Sequence, residues 1–162
     1  MPTYPLVTGR SLGAALLAAS TRYINPAGSL THTTTEARYQ AVARDSYTLA
    51  NLYVRAITNL TTTASTVRSR KNTADGAQSV SIGAGATGVF QDSVNSDSLV
   101  AGDLFVSQVV VGATDDLTLT IIAYTLATAS NTTPILVAVN VGGTTVAYGV
   151  TTYNPIGGEA KY

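Results

Sequence analysis

The residues of this chain that could do chemistry are few and scattered. His32 lies in Leu30-Thr31-His32-Thr33-Thr34-Thr35, rich in hydroxyls but without the Gly-x-Ser-x-Gly turn that exposes a nucleophile. Asp115-Asp116 are adjacent, so on a strand their side chains diverge, and a solvated turn is the economical reading beside that of a paired-carboxylate site. Asp92, Asn95 and Asp97 could place oxygens around calcium, although the EF-hand pattern and its terminal glutamate are absent; the other reading is a solvated turn. Gly83-Ala84-Gly85-Ala86-Thr87-Gly88 resembles a phosphate loop only in its glycines, since no Gly-Lys-Ser/Thr follows. Arg68 and Arg70, two apart, share one strand face and read as a basic stripe, an anion site or a wet sheet face. Asn59-Leu60-Thr61 and Asn131-Thr132-Thr133 match a glycosylation acceptor pattern that arises easily in a Thr-rich chain. With one histidine and no cysteine there is no multi-histidine or thiolate metal site, so no catalytic residue, metal or cofactor is expected.

Composition points the same way. Of 162 residues 45% are hydrophobic and only 11% charged, with nine basic and nine acidic side chains. A balanced charge gives no overall field for nucleic acid or an acidic membrane. No apolar run reaches the length of a membrane-spanning helix. Charge is unevenly placed, however: a division after Lys71 leaves the first part basic and the remainder acidic. Such an excess either pairs internally or favours head-to-tail contact between copies or an acidic partner.

The elements that must position these residues are strands. From Glu36 onward short β-type runs are broken by Gly, Asn, Asp and Pro, the spacing of an all-β sandwich. Ala37 to Ala43 leads into Tyr47 to Thr58, where Tyr47 and Leu49 share one phase and Leu52, Val54 and Ala56 the other, implying a bulge or bend. Thr66 to Lys71 is a polar strand with Val67 inward, Asn72 to Gly76 a turn using its Asp-Gly step, and Gln78 to Ile82 a strand with Val80 and Ile82 inward. Ala101-Gly102-Asp103 turns into Leu104 to Val111. Leu117 to Leu126 follows, with Leu117, Leu119, Ile121 and Ala123 expected on one face, and these two strands should centre the core.

Both ends read differently. Residues 1–20 are expected to be an extended arm rather than a cleaved leader, because Pro2 and Pro5 disfavour a helix and the stretch Pro2 to Gly9, ahead of Arg10 and the apolar run, lacks a basic n-region. The arm's candidate partner-binding residues are Tyr4, Leu6, Val7, Arg10, Leu12 and Leu16. They lie either on another subunit or back on their own sandwich, and removal of the arm is expected to abolish docking and spare the fold. Residues 21–126 form the sandwich and 127–162 a hairpin and tail, in which Ile135, Val137, Val139 and Val141 alternate, Gly142-Gly143 turns, and Thr144, Val146, Tyr148 and Val150 return. Thr151 to Gly158 echoes Thr21 to Gly28, which suits a protein that assembles.

The middle of the chain carries a resemblance. Arg68-x-Arg70-x-Asn72, Thr87-Gly88-x-Phe90-x-Asp92 and Ala101-Gly102-Asp103, in this order over residues 20–126, resemble a jelly-roll module of tailed-bacteriophage virion proteins, most like a capsid decoration protein. More distantly they resemble the trimeric heads of the tumour-necrosis-factor and complement type. The fold implied is a jelly-roll-like antiparallel β-sandwich. The role implied is structural and not enzymatic: a homotrimer on the outer surface of a virion capsid, bound to the major capsid protein. The alternative is a receptor- or glycan-binding head, with Tyr4, Tyr23, Tyr39 or Tyr153 stacking on sugars.

Overall fold

A computed structural model describes residues 3–8, 15–26 and 31–128. The strands are β1 Thr3–Thr8, β2 Thr21–Ile24, β3 Ala41–Val42, β4 Tyr47–Asn59, β5 Ser65–Lys71, β6 Ala74–Ile82, β7 Gly88–Leu99, β8 Leu104–Val110 and β9 Leu117–Thr128. They form two antiparallel sheets, ordered β1-β9-β4-β7 and β2-β8-β5-β6, with β3 also on β8. Because β2 and β3 follow one another along β8, opposite Val110 to Ser107 and then Phe105 to Leu104, they act as one interrupted strand. Counted so, the order is that of a jelly roll, with β8 and β9 each flanked on both sides as the sequence leads one to expect. The core between the sheets includes Leu49, Leu52, Val54, Val67, Ile82, Phe105, Val109, Leu117, Ile122 and Tyr124.

Two bulges set which residues reach that core. In β4 the register slips between Ala50 and Leu52, and Asn51 takes a left-handed φ of 52°, so Tyr47 and Leu49 before it and Leu52, Val54 and Ala56 after it all point inward. This is the phase switch that the sequence carries. A second slip is not visible in sequence: Ala56 pairs Leu119 while Arg55 pairs Ile121, leaving Thr120 as an extra residue in β9. The phase therefore changes after Leu119, and Ile122, Tyr124 and Leu126 are buried while Ile121 and Ala123 stay half-exposed on the outer face.

Two further expectations shift. The β5–β6 turn is the tight pair Asn72-Thr73, both at positive φ as a two-residue hairpin with a primed turn needs, and Asp75-Gly76 lies within β6. Gly76 has a packing reason instead: a Cβ there would collide with the Ser69 hydroxyl and the Asp97 carboxylate. The turn expected around Asp92, Asn95 and Asp97 lies inside β7 instead.

The amino-terminal segment is not separate from the sandwich. Thr3–Thr8 runs antiparallel along β9, from Thr3 opposite Ala127 to Thr8 opposite Ile122. Leu16 exchanges backbone hydrogen bonds with Leu117, at 2.9 and 3.1 Å, and its side chain is fully buried in the core. Glu36, between β2 and β3, reaches Arg70 on the second sheet, and Val106, opposite Arg70, is fully buried although it is not part of the core between the sheets.

Candidate functional site

The buried acidic groups Asp92, Asp97 and Asp103 are already engaged. Asp92 receives the backbone N–H groups of Ser79 (3.0 Å), Val94 (3.2 Å) and Asn95 (3.0 Å) and the Asn95 side-chain amide. These close the bulge of β7, where three residues oppose Asn51 alone. Burial by itself would push this carboxyl up, but the donors of Asn95, Ser79 and Val94 outweigh it and hold it at about 2. Asp97 accepts from the Ser69 hydroxyl, the Ala77 N–H at 2.6 Å and the Gln78 amide at 3.3 Å. Among the described residues no cluster of three or more His, Asp or Glu is placed to hold a metal ion.

Asp103 closes the opposite end of the sandwich. Its carboxylate takes the Val100 N–H (2.8 Å), the Asn72 amide (2.6 Å) and the Lys71 ammonium (2.9 Å), which together hold it at about 2, while the Asn72 carbonyl oxygen accepts from Leu104 N–H at 2.8 Å. The Arg-x-Arg-x-Asn and Ala-Gly-Asp elements thus meet in space as fold punctuation. Since Asp92 and Asp103 bind protons less tightly folded than unfolded, they contribute stability above the unfolded carboxyl value, about 3.9, and that contribution is lost as pH falls toward 2. The expected melting temperature changes little from pH 7 to 5 on their account and drops between pH 4 and 2, with a smaller drop in Asp92→Asn. An identical acid drop in that variant refutes the assignment to Asp92.

The arginine stripe is neutralised within the chain. Arg68 and Arg70 both pair with Asp75, and Arg70 also holds Glu36 through two hydrogen bonds of 3.1 and 3.0 Å. Hydrogen bonding to Glu36 is the leading cause that raises the Arg70 pKa, and hydrogen bonding to Arg70 is the leading cause that lowers that of Asp75. Arg68, Arg70 and Lys71 reach across the division after Lys71 to Asp75 and Asp103, so part of the charge excess of each half is paired internally. His32 is half-buried, its Nε2 3.4 Å from the Ala15 carbonyl oxygen, and burial foremost, with Arg22 adding, lowers its pKa. The hydroxyls of Tyr23 and Tyr39 bond Gln108 (3.2 Å) and Thr31, and Tyr39 is buried; Tyr4 lies in β1 and Tyr153 outside the described residues. Asp115-Asp116 occupy the β8–β9 turn, as expected.

The loops at the end of the sandwich opposite Asp103 make a more suggestive arrangement. Asn59 is buried at the end of β4, donating to the carbonyls of Gly83 and Ala86 (2.9 Å each) and accepting from the N–H and hydroxyl of Thr61 at 3.1 and 2.7 Å. The glycine-rich segment is therefore the loop that crosses from β6 in one sheet to β7 in the other, tied down by Asn59, and Asn59-Leu60-Thr61 is a structural knot. Thr63 and Ser65 hydroxyls accept from the N–H groups of Ala113 (2.7 Å) and Gly112 (2.9 Å), and Ala19 N–H reaches the Gly112 carbonyl at 2.8 Å. These knots hold three loops and the segment after Leu16 as one end. On and beside it stand Leu60, 56% exposed, Leu17, 53%, Val89, 51%, and Ile57, 47%.

Exposed apolar groups on a firmly bonded end suit docking better than catalysis, because little ordering remains to be done on binding. Of the arm residues proposed from sequence, Tyr4, Leu6 and Val7 lie in β1, Leu16 is in the core, and Arg10 and Leu12 lie outside the described residues. Sequence reasoning missed Leu60. The signal was the pair Asn59 and Thr61: two residues turned inward to bond each other leave the one between them outward. Comparison of the chain with family models, curated proteins and solved structures finds no match.

Proposed function

We propose that this chain is a structural virion protein that binds the outside of a phage capsid as a homotrimer and stabilises the shell by bridging copies of the major capsid protein. The observation that carries this reading is the apolar loop end, with Leu17, Ile57, Leu60 and Val89 exposed on loops fixed by Asn59, Thr61, Thr63 and Ser65. The motif resemblance supports the capsid and the trimer. Stabilisation works by mass action: a protein that binds only the assembled shell adds about 2.7 kcal/mol per site when its free concentration is about a hundred times Kd.

The test is light scattering of the purified protein, then co-sedimentation with undecorated capsids. Leu60→Asp is expected to weaken capsid binding about tenfold or more, since it leaves an unpaired charge in an apolar contact, while changing stability by less than about 0.5 kcal/mol. Wild-type protein that ignores capsids overturns the proposal and moves the weight to a receptor- or glycan-binding head.

A further inference from the structure

Residues 15–20 form a strap along the connection between β8 and β9. Leu16 exchanges two backbone hydrogen bonds with Leu117, Ala19 N–H donates to the Gly112 carbonyl at 2.8 Å, and the Ser20 carbonyl accepts from Val111 N–H at 2.8 Å. Leu16 is buried in the core, whereas Leu17 is exposed beside the apolar end. Two side chains from outside the strap also hold it. His32 Nε2 lies 3.4 Å from the Ala15 carbonyl oxygen, and Arg22 Nε donates to the Ser20 hydroxyl at 3.0 Å. The histidine is fixed in turn by its neighbour Thr33, which exchanges backbone hydrogen bonds of 2.8 and 3.1 Å with Tyr23 on β2.

The surroundings of this imidazole suit its neutral form. With the proton on Nε2 the ring donates to Ala15, and Nδ1 carries a lone pair. Nδ1 is buried and has no hydrogen-bond partner among the described residues, so a proton added there becomes a buried donor without an acceptor. The charged group that faces the ring is itself a cation, Arg22 of β2, while Ala15 to Ser20 and β8 carry no charged residue. On the histidine's own segment the first acid, Glu36, is held by Arg70 through two hydrogen bonds. His32 is the chain's one histidine, and histidine is the side chain whose ordinary titration falls between pH 5 and 8.

We infer that protonation of His32 releases the strap of residues 15–20 from the β8–β9 connection, which gives the fold an acid-sensitive latch at the border of its apolar end. Charge on the ring is disfavoured only while the strap is closed, so the closed form binds the proton less tightly than the open one. Closing therefore weakens as pH falls below the ordinary histidine value of 6.5, by at most about tenfold per pH unit, until the lowered value of the closed form is reached. Leu17 stands on the strap, so opening also takes away one of the apolar groups assigned to docking. That consequence rests on the capsid reading; the latch itself does not.

Amide hydrogen exchange of the full chain, read by NMR at about pH 7.5 and about pH 5.5 and corrected for intrinsic rates, tests the latch. At both values the amides of Leu16 and Ala19 should be less protected than those of Val54 and Val67 in the core strands. At the lower pH they should lose about three- to tenfold of that protection. In His32→Gln, whose amide donates without titrating, strap protection should be the same at both values. Strap amides as protected as the core amides, or wild-type protection that ignores pH, overturn the inference. Should the variant not fold, the wild-type ring decides: its proton titration is expected to have a midpoint below 6.5, and a midpoint at or above 6.5 overturns the latch. Capsid co-sedimentation is a separate readout, so its failure strikes the reading of the preceding section and failure of the exchange result strikes the latch.

Discussion

Gln78→Leu is expected to destabilise the fold by about 3–5 kcal/mol, because two buried backbone groups lose their partner while Asp97 loses one of its donors, and each unsatisfied group costs about 1–3 kcal/mol. Gln78 is fully buried in β6. Its Oε1 accepts the Leu52 N–H at 3.0 Å, and its Nε2 donates to the Leu49 carbonyl at 3.2 Å and to Asp97. Leu49 and Leu52 flank the Asn51 bulge, which turns a backbone N–H and a carbonyl out of the β-ladder and into the core. A side-chain amide has one donor group and one acceptor to meet them, and leucine has neither. The melting temperature should fall by roughly 6–20 °C. Ala77→Leu, on the neighbouring exposed position, should stay within about 0.5 kcal/mol. A loss under about 1 kcal/mol in Gln78→Leu would mean that the bulge relaxes to satisfy itself, and the explanation would fail.

Leu16→Ala is expected to cost about 2–5 kcal/mol, the range for truncating a buried leucine, while Leu17→Ala beside it costs less than about 0.5 kcal/mol. The contrast follows from burial: Leu16 is enclosed by the core and Leu17 is exposed. Urea unfolding midpoints of the two variants check it. Equal, small effects would return this segment to the role of a detachable arm. With Leu16 in the core, deletion of residues 1–20 removes part of the sandwich and cannot isolate docking from stability, whereas Leu60→Asp can.

What the sequence made legible was whatever depends on local periodicity. Val80 and Ile82 alternate cleanly and are both buried, and the phase change between Leu49 and Leu52 marked the β4 bulge. The Thr120 bulge left no such mark, since Leu119, Ile121, Ile122 and Leu126 are apolar in both phases and only the partner strand decides which turn inward. The Asn72-Thr73 turn was masked by a stronger local signal, Asp75-Gly76, whose glycine serves a close approach to Ser69 and Asp97 and not a turn. The pairings of Asn72 with Asp103, Gln78 with Leu52 and Arg70 with Glu36 bring together residues distant in the chain, which no window on the sequence can show. The apolar loop end was not legible either, because Leu17, Ile57, Leu60 and Val89 come from separate stretches of the chain.

The antiparallel pairing of β1 with β9 also governs how the molecule responds to force. Thr3 lies opposite Ala127, so both the start of β1 and the end of β9 sit at the same end of the sheet. Tension that draws these two points apart acts across the hydrogen bonds in succession and opens the pair like a zipper, one rung at a time, instead of shearing the whole row together. Such an opening needs little force and proceeds from Thr3 toward Thr8 while β4, β7 and β9 remain paired. A load borne through these ends would therefore uncover the edge of β9 before it unravelled the sandwich.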